Sequence, residues 1–157
     1  MPTQRRAEPA ELPALWELRT RAIRAGCAGH YPPHVIDTWC AAAAPATIAT
    51  LIAAGGALVE EEKGLVIGYV ILDLETGEVD AAFVDPAWQG RGVGQRLLAA
   101  LETLALRHGL CRLFVSSSLN AAPAYERAGY VALRRERYPH RSGVELASVF
   151  MEKKLPC

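Results

Sequence analysis

The stretch from Val84 to Arg96, VDPAWQGRGVGQR, constrains this chain more than any other. An apolar run ends at Asp85-Pro86, glycines alternate at Gly90, Gly92 and Gly94, and an amphipathic helix follows at once. Val93, Leu97, Leu98, Leu101, Leu104 and Ala105 recur at helical spacing, and Gly109 closes that helix. The first turn of a helix carries amides with no intrahelical acceptor, and the aligned peptide dipoles place partial positive charge there. Glycine lets the backbone turn tightly and approach an anion closely. A strand, a glycine loop and a helix start therefore make a cradle for a diphosphate, with Arg91 and Arg96 placed to add charge-assisted contacts. Two known phosphate motifs fail on spacing. There is no GxxxxGK[ST] run, and the third position after Gly92 is Gln95, which breaks GxGxxG. A loop that serves only to pack a helix on a sheet would carry the same triplet of glycines.

The rest of the chain alternates strands and helices. Thr3 to Arg6 reads as a strand. A helix opens at Pro9 with Leu12, Leu15, Trp16, Leu18 and Ile23 on one stripe, and Gly26 and Gly29 end it. Pro33 starts a second helix through Trp39, and Pro45 to Ala54 reads as a third. Apolar runs at 57–60, 65–74 and 78–84 are separated by tight turns at Lys63-Gly64 and Thr76-Gly77, the pattern of antiparallel hairpins. Beyond the glycine segment come a strand at 111–116, a helix at 120–128 capped by Gly129, and strands at 130–138 and 144–153 joined by a loop. This order predicts a mixed α/β fold around one central sheet. The 157 residues suit one domain, 1–157.

Composition excludes several classes. Lys plus Arg equals Asp plus Glu at 17 each, so no basic excess points to nucleic acid or an anionic membrane. Residues 38–59 are uncharged, but Pro45 and Gly55-Gly56 interrupt them and large aliphatics are few, which does not suit a spanning helix. The first residues, MPTQRRAEPAELP, show no apolar core of a secretory leader. Four cysteines, at 27, 40, 111 and 157, are scattered without a CxxC pair, so a reducing cytoplasmic setting is expected and Cys111 is expected to pack within its strand. His30 and His34 are separated by Pro32-Pro33, which breaks the helix an i, i+4 metal pair needs, so no metal is expected. Ser116 to Ser118 lack the GxSxG context of a nucleophile elbow.

The run Gln89-Gly90-Arg91-Gly92-Val93-Gly94, after a strand ending Phe83-Val84-Asp85-Pro86, resembles the acetyl-CoA signature Q/R-x-x-G-x-G/A of the GNAT superfamily of N-acetyltransferases. Downstream, Asn120, Tyr125 and Gly129-Tyr130 resemble that family's N-x-x-x-x-x-Y-x-x-x-G-[FY] segment, with one residue fewer between Asn and Tyr. The order of elements fits along nearly the whole chain. The resemblance implies a mixed, mostly antiparallel central sheet with splayed central strands, flanked by helices. It implies that acetyl-CoA is the co-substrate. Backbone groups of Phe83 and Val84 would bond the pantetheine arm, residues Gln89, Gly90, Arg91, Gly92, Val93, Gly94 and Gln95 would hold the diphosphate, and Asn120 would touch the arm. Tyr125 would protonate the departing thiolate. A phenol with an ordinary pKa of ~10 is protonated at neutral pH and can do so, although the same tyrosine could simply pack a helix on the sheet.

The attacking amine must lose a proton, and Glu78 and Asp80 are the candidate bases. At even spacing on one strand they point to one face unless a bulge intervenes. Glu78, six before Val84, matches the glutamate of the histone-acetylating members; the choice between the two, or a water, stays open. Arg19, Arg24, His30, Tyr31, His34 and Trp39 cluster near the first helix–helix turn, where Tyr31 and Trp39 can wall an amine site or equally pack the core. His140 and Arg141 sit in the last loop and are further candidates for substrate contact. The acceptor is open among small amines, amino acids, peptide N-termini, protein lysines and aminoglycosides, and the family also admits a homodimer. A non-catalytic acetyl-CoA sensor or partner-binding module on the same fold is the alternative.

Overall fold

Residues 65–72 are apolar almost throughout, and the structure, a computed structural model that describes residues 2–140 and 143–157, shows why: this strand is covered on both faces. The elements follow the expected order. They are β1 (Thr3–Arg6), α1 (Leu12–Gly26), α2 (Pro33–Ala41), α3 (Ala46–Ala53), β2 (Ala57–Glu62), β3 (Leu65–Leu72), β4 (Val79–Val84), α4 (Val93–Arg107), β5 (Arg112–Ser117), α5 (Ala122–Arg127), β6 (Val131–Pro139) and β7 (Glu145–Lys154). The helix expected from Pro9 begins instead as a 3-10 turn over Pro9–Glu11, where the Glu11 carboxylate accepts the Glu8 amide at 2.8 Å and fixes the entry before α1 starts. The helix expected from Asn120 starts two residues later, because 118–121 forms a turn in which the Ala121 amide bonds the Ser118 carbonyl.

The one central sheet expected from the sequence is two. Strands β1-β2-β3-β4 form an antiparallel sheet of four, and β5-β7-β6 one of three. They meet at one parallel bridge, Glu78 with Phe114, where the Phe114 amide donates to the Gly77 carbonyl at 3.1 Å. Beyond that bridge β4 and β5 are unpaired with each other, so the two strands splay. These are the splayed central strands of the expected fold.

Helix α4 covers one face of the first sheet. Its Val93, Leu97, Leu98, Leu101 and Ala105 pack with Val70, Leu72 and Val79, and the same core continues to Leu113, Val115 and Met151 of the second sheet. Gly68 permits this approach: a Cβ there would sit 2.9 Å from Val93 Cγ1 and 3.1 Å from the Phe83 carbonyl oxygen. On the opposite face, α1 and α3 bring Leu15, Leu18, Ile48 and Ile52 against Val59, Tyr69 and Ile71. The end of α1 and α2 carry this layer across to Leu146 of β7. No single helix among the described residues is long and apolar enough to cross a membrane; the uncharged stretch bends by 63° between α2 and α3.

Cys111 does not pack inside its strand. It is exposed and forms a disulfide with Cys157. The cause is the antiparallel β5–β7 ladder, which pairs Arg112 with Lys154 and lets the Leu155 amide bond the Cys111 carbonyl at 2.8 Å, so the last residues run alongside the start of β5. The expectation of four unpaired thiols therefore holds for Cys27 and Cys40 alone, both buried and free.

Candidate active site

Where β4 and β5 part, a cleft of about 1300 Å³ opens. One wall is β4 with the segment that follows it; the other is the end of β5, the turn through Asn120, and Tyr125 on α5. The Asp85 amide donates to the Ile67 carbonyl at 2.8 Å, in register with the pair Phe83–Tyr69. In an antiparallel ladder, that bond directs the backbone groups of Phe83 to β3 and those of Ala82 and Val84 to the open side. Val84 thus has its amide and carbonyl on the cleft side. Phe83 does not, because its own pairing with Tyr69 consumes them; Ala82 takes its place, and Phe83 contributes its ring to the lining.

At one end of the cleft lies the glycine loop. Gly90 and Gly92 have φ of +77° and +79°, a region costly for side chains with a Cβ. Gly92 caps α4, and the helix's first own bond is from the Arg96 amide to the Gly92 carbonyl, at 3.0 Å. The amides of Val93, Gly94 and Gln95 therefore have no acceptor within the helix. Gln89, Gly90, Gly92, Val93, Gly94 and Gln95 all line the cleft. The Gln89 amide group donates weakly to the Val84 carbonyl at 3.4 Å, and Gln95 bonds the Ala124 carbonyl at 3.0 Å, tying α4 to α5. The Arg91 guanidinium lies over the Trp88 ring at 4.8 Å. Arg96, expected to reach a phosphate, is turned away and bound to Glu60. The donors that remain, backbone amides at a helix start beside an exposed arginine, fit the diphosphate of a coenzyme.

Residues 27–155 match the acetyltransferase (GNAT) domain family. The chain belongs to the GNAT family of acetyltransferases. It is 46% identical over 71 residues to the N-alpha-acetyltransferase RimI of Mycobacterium tuberculosis; that stretch covers 43% of this chain and 44% of the relative, less than half its length. The crystal structure of a GCN5-related N-acetyltransferase from Rhodopseudomonas palustris superposes with a TM-score of 0.85 at 29% identity, covering 99% of this chain and 96% of that one. The structure of YncA from Salmonella typhimurium with acetyl-CoA shares the fold, with a TM-score of 0.68 at 24% identity over 100% of this chain and 95% of that chain.

In this GNAT chain, Tyr125 lines the cleft from α5. It is 6% exposed, its ring meets Tyr130 edge-on at 5.3 Å, and burial pushes its phenol above the usual range, so it stays protonated. Glu78 and Asp80 line the cleft from the first sheet. Glu78 precedes β4 and forms the bridge to β5. The β3–β4 register steps from Ile71 with Ala81 to Leu72 with Val79, which makes Asp80 the extra residue of a bulge. Simple alternation therefore does not relate the two carboxylates, yet both line the cleft. Glu78 is half-buried, and burial, then Asp80 and Asp73, hold its carboxyl above the ordinary range; Asp80 is exposed.

The third group of expected residues also converges. Trp39 meets Tyr31 at 5.6 Å and His140 at 6.3 Å between ring centres, both edge-on, and all three line the cleft at its α1–α2 end. The Tyr31 hydroxyl also braces the wall: it donates to the Ala147 carbonyl at 2.6 Å and accepts the Leu119 amide at 3.0 Å. Arg19 lines the same end, its Nη2 on the Trp39 carbonyl at 3.0 Å and its head over Trp16 at 4.0 Å. His30 reaches the cleft as well, whereas Arg24 pairs with Asp37 at 2.8 Å and, like His34, does not line it. Arg141 lies outside the described residues.

Sequence reasoning missed Ala82, the Leu146–Ser148 segment of β7, and Cys27 as lining residues. The Cys27 thiol donates to Asn120 Oδ1 at 3.3 Å, and burial pushes it up to about 11, which keeps it a donor. Nothing in the sequence links positions 27 and 120; the contact exists because the end of α1 crosses the mouth of the cleft.

Proposed function

We propose that this protein transfers the acetyl group of acetyl-CoA directly to the nitrogen of a primary amine. The observation that carries the reading is the splay of β4 from β5, with helix amides lacking intrahelical acceptors and a buried phenol lining the cleft it opens. Acetyl-CoA supplies an acetyl group already activated as a thioester. The amides of Val93, Gly94 and Gln95 hold its diphosphate, and Ala82 and Val84 offer strand hydrogen bonds to its arm. An N–H on the open side of β4 polarises the carbonyl oxygen. Glu78, whose raised pKa brings it nearer neutrality than an ordinary carboxylate, takes the amine proton directly or through a water, with Asp80 as the second candidate. Tyr125 gives its proton to the sulfur that leaves. Asn120 borders the arm, and the Tyr31–Trp39–His140 end receives the acceptor, so that positioning supplies much of the rate.

The RimI relative, an N-alpha-acetyltransferase, puts peptide N-termini among the acceptors to try. The test has two stages. Acetyl-CoA should raise the unfolding temperature in proportion to its concentration by mass action, and absence of any shift at saturation overturns the cleft assignment. A panel of small amines, amino acids, peptide N-termini and lysine peptides, monitored by thiol release, should then give acceptor-dependent turnover. Binding without such turnover across the panel would make the protein a coenzyme sensor.

A further inference from the structure

Arg96 and Glu60 do not line the cleft, yet a fork of hydrogen bonds joins them. Glu60, on β2, is 1% exposed, and it does not line the cleft. Its carboxylate accepts Arg96 Nε at 3.1 Å and Nη2 at 2.7 Å, one bond to each oxygen, and Gln4 Nε2 of β1 at 3.1 Å. The remaining arm of the fork, Nη1, donates to the Arg91 carbonyl at 2.9 Å, inside the glycine loop. A Cβ on Gly92 would lie 2.9 Å from that same Nη1, so the loop is folded down onto the guanidinium.

We propose that Arg96 and Glu60 form a strap that sets the diphosphate loop, making both positioning residues for coenzyme binding. Gly90 and Gly92 give the loop conformations open to glycine, but glycine carries more backbone freedom to lose than any other residue. A loop that must present several amides to one anion needs something to hold it before the anion arrives, or ordering it costs affinity. The Arg91 carbonyl lies between the two positive-φ glycines, and holding it fixes the peptide plane that leads into Gly92 and the start of α4. The guanidinium can do this because its planar fork is itself immobilised by the buried carboxylate. Glu60 in turn is paired on both sides, with Gln4 of β1 and Gly68 of β3, next to a shift of the β2–β3 register at Glu60/Glu61. Affinity for the diphosphate thus depends on a carboxylate outside the cleft. Lysine at 96 would keep the charge against Glu60 but could not serve the carboxylate and the carbonyl at once.

This inference rests on the coenzyme-binding reading, and the experiment separates their failures. Binding is measured by calorimetry for wild type, Glu60→Gln, Arg96→Lys and Arg96→Gln, with two probes: CoA, and acetyl-pantetheine, which has the arm and thioester but no diphosphate. Hydrogen exchange of amides 90–95 is followed in the unliganded protein. Expected are a roughly tenfold weaker CoA affinity in each variant, acetyl-pantetheine affinity within about twofold of wild type, and faster exchange in the loop. Arg96→Lys keeps the fold if Glu60→Gln does not. Wild-type protein that fails to bind CoA overturns the coenzyme reading itself. Wild type that binds, with folded variants that bind CoA equally well, overturns the strap. Equal loss for both probes also overturns it, since that would mark a general defect of the sheet rather than a set loop.

Discussion

The two ends of the cleft are built from different materials. The donor end is made of backbone: amides at the start of α4, two glycines at positive φ, and a strand edge left open where β4 leaves β5. The end proposed for the acceptor is made of side chains gathered from distant places, with Tyr31 and Trp39 from α2 and its approach and His140 from the loop after β6. A backbone-built site needs particular residue types in a fixed local order, because only those types permit the conformation. A side-chain-built site needs only that the fold bring rings together, and many sequences satisfy that. The donor end should therefore respond to changes of conformation and the acceptor end to changes of surface.

The largest effect is expected between the two ends, at Tyr125. Tyr125→Phe should lower acceptor-dependent thiol release by ~100-fold, the lower range for loss of a general acid, while CoA affinity measured by calorimetry stays put. Equal turnover would remove the proton-donor role and leave Tyr125 as packing. Next, Gly92→Ala places a Cβ at a φ of +79° and 2.9 Å from Arg96 Nη1. Left-handed strain of about 1–2 kcal/mol should weaken CoA binding roughly tenfold without unfolding the protein by circular dichroism. If the alanine variant binds as wild type does, the donor end is not conformation-limited and the contrast between the ends fails.

Smaller effects sharpen the contrast. Trp39→Ala should raise the acceptor KM by about threefold to tenfold, in keeping with ring contacts of ~1 kcal/mol, and leave acetyl-CoA affinity unchanged; a change confined to the coenzyme would reverse the assignment of ends. The smallest effect concerns Glu78. Its charged form is penalised in the folded state, so wild type bears a cost that is absent below the ordinary carboxylate range, grows as pH rises through the raised pKa, and is constant above it. Glu78→Gln should unfold at a slightly higher temperature than wild type near neutral pH, with the difference vanishing at low pH, and should lose the acidic limb of the rate profile. A variant that melts lower near neutral pH would show that Glu78 stabilises the fold and is not a strained base.

Much of this was legible beforehand because it is local. The glycine triplet, the helix after it and the strand before it are contiguous, and each follows from what neighbouring residues permit. The Asn120–Tyr125 segment is likewise short and placed the phenol on the cleft. Phe83 and Arg96 were misread for one reason: which way a backbone group or long side chain turns depends on its partner, and the partners Tyr69 and Glu60 lie 14 and 36 residues away. The Asp80 bulge is a property of the β3–β4 pair, not of β4 alone.

By itself, the sequence determined the order of strands and helices, the glycine-built helix start and the family, since these depend on periodicity and on conformations that only glycine adopts readily. Tertiary structure alone decided that the sheet divides at Glu78, that Cys111 meets Cys157, and that Arg96 bonds Glu60 as well as the Arg91 carbonyl. Each of those is a long-range pairing, fixed by which chain segments the closed core leaves side by side.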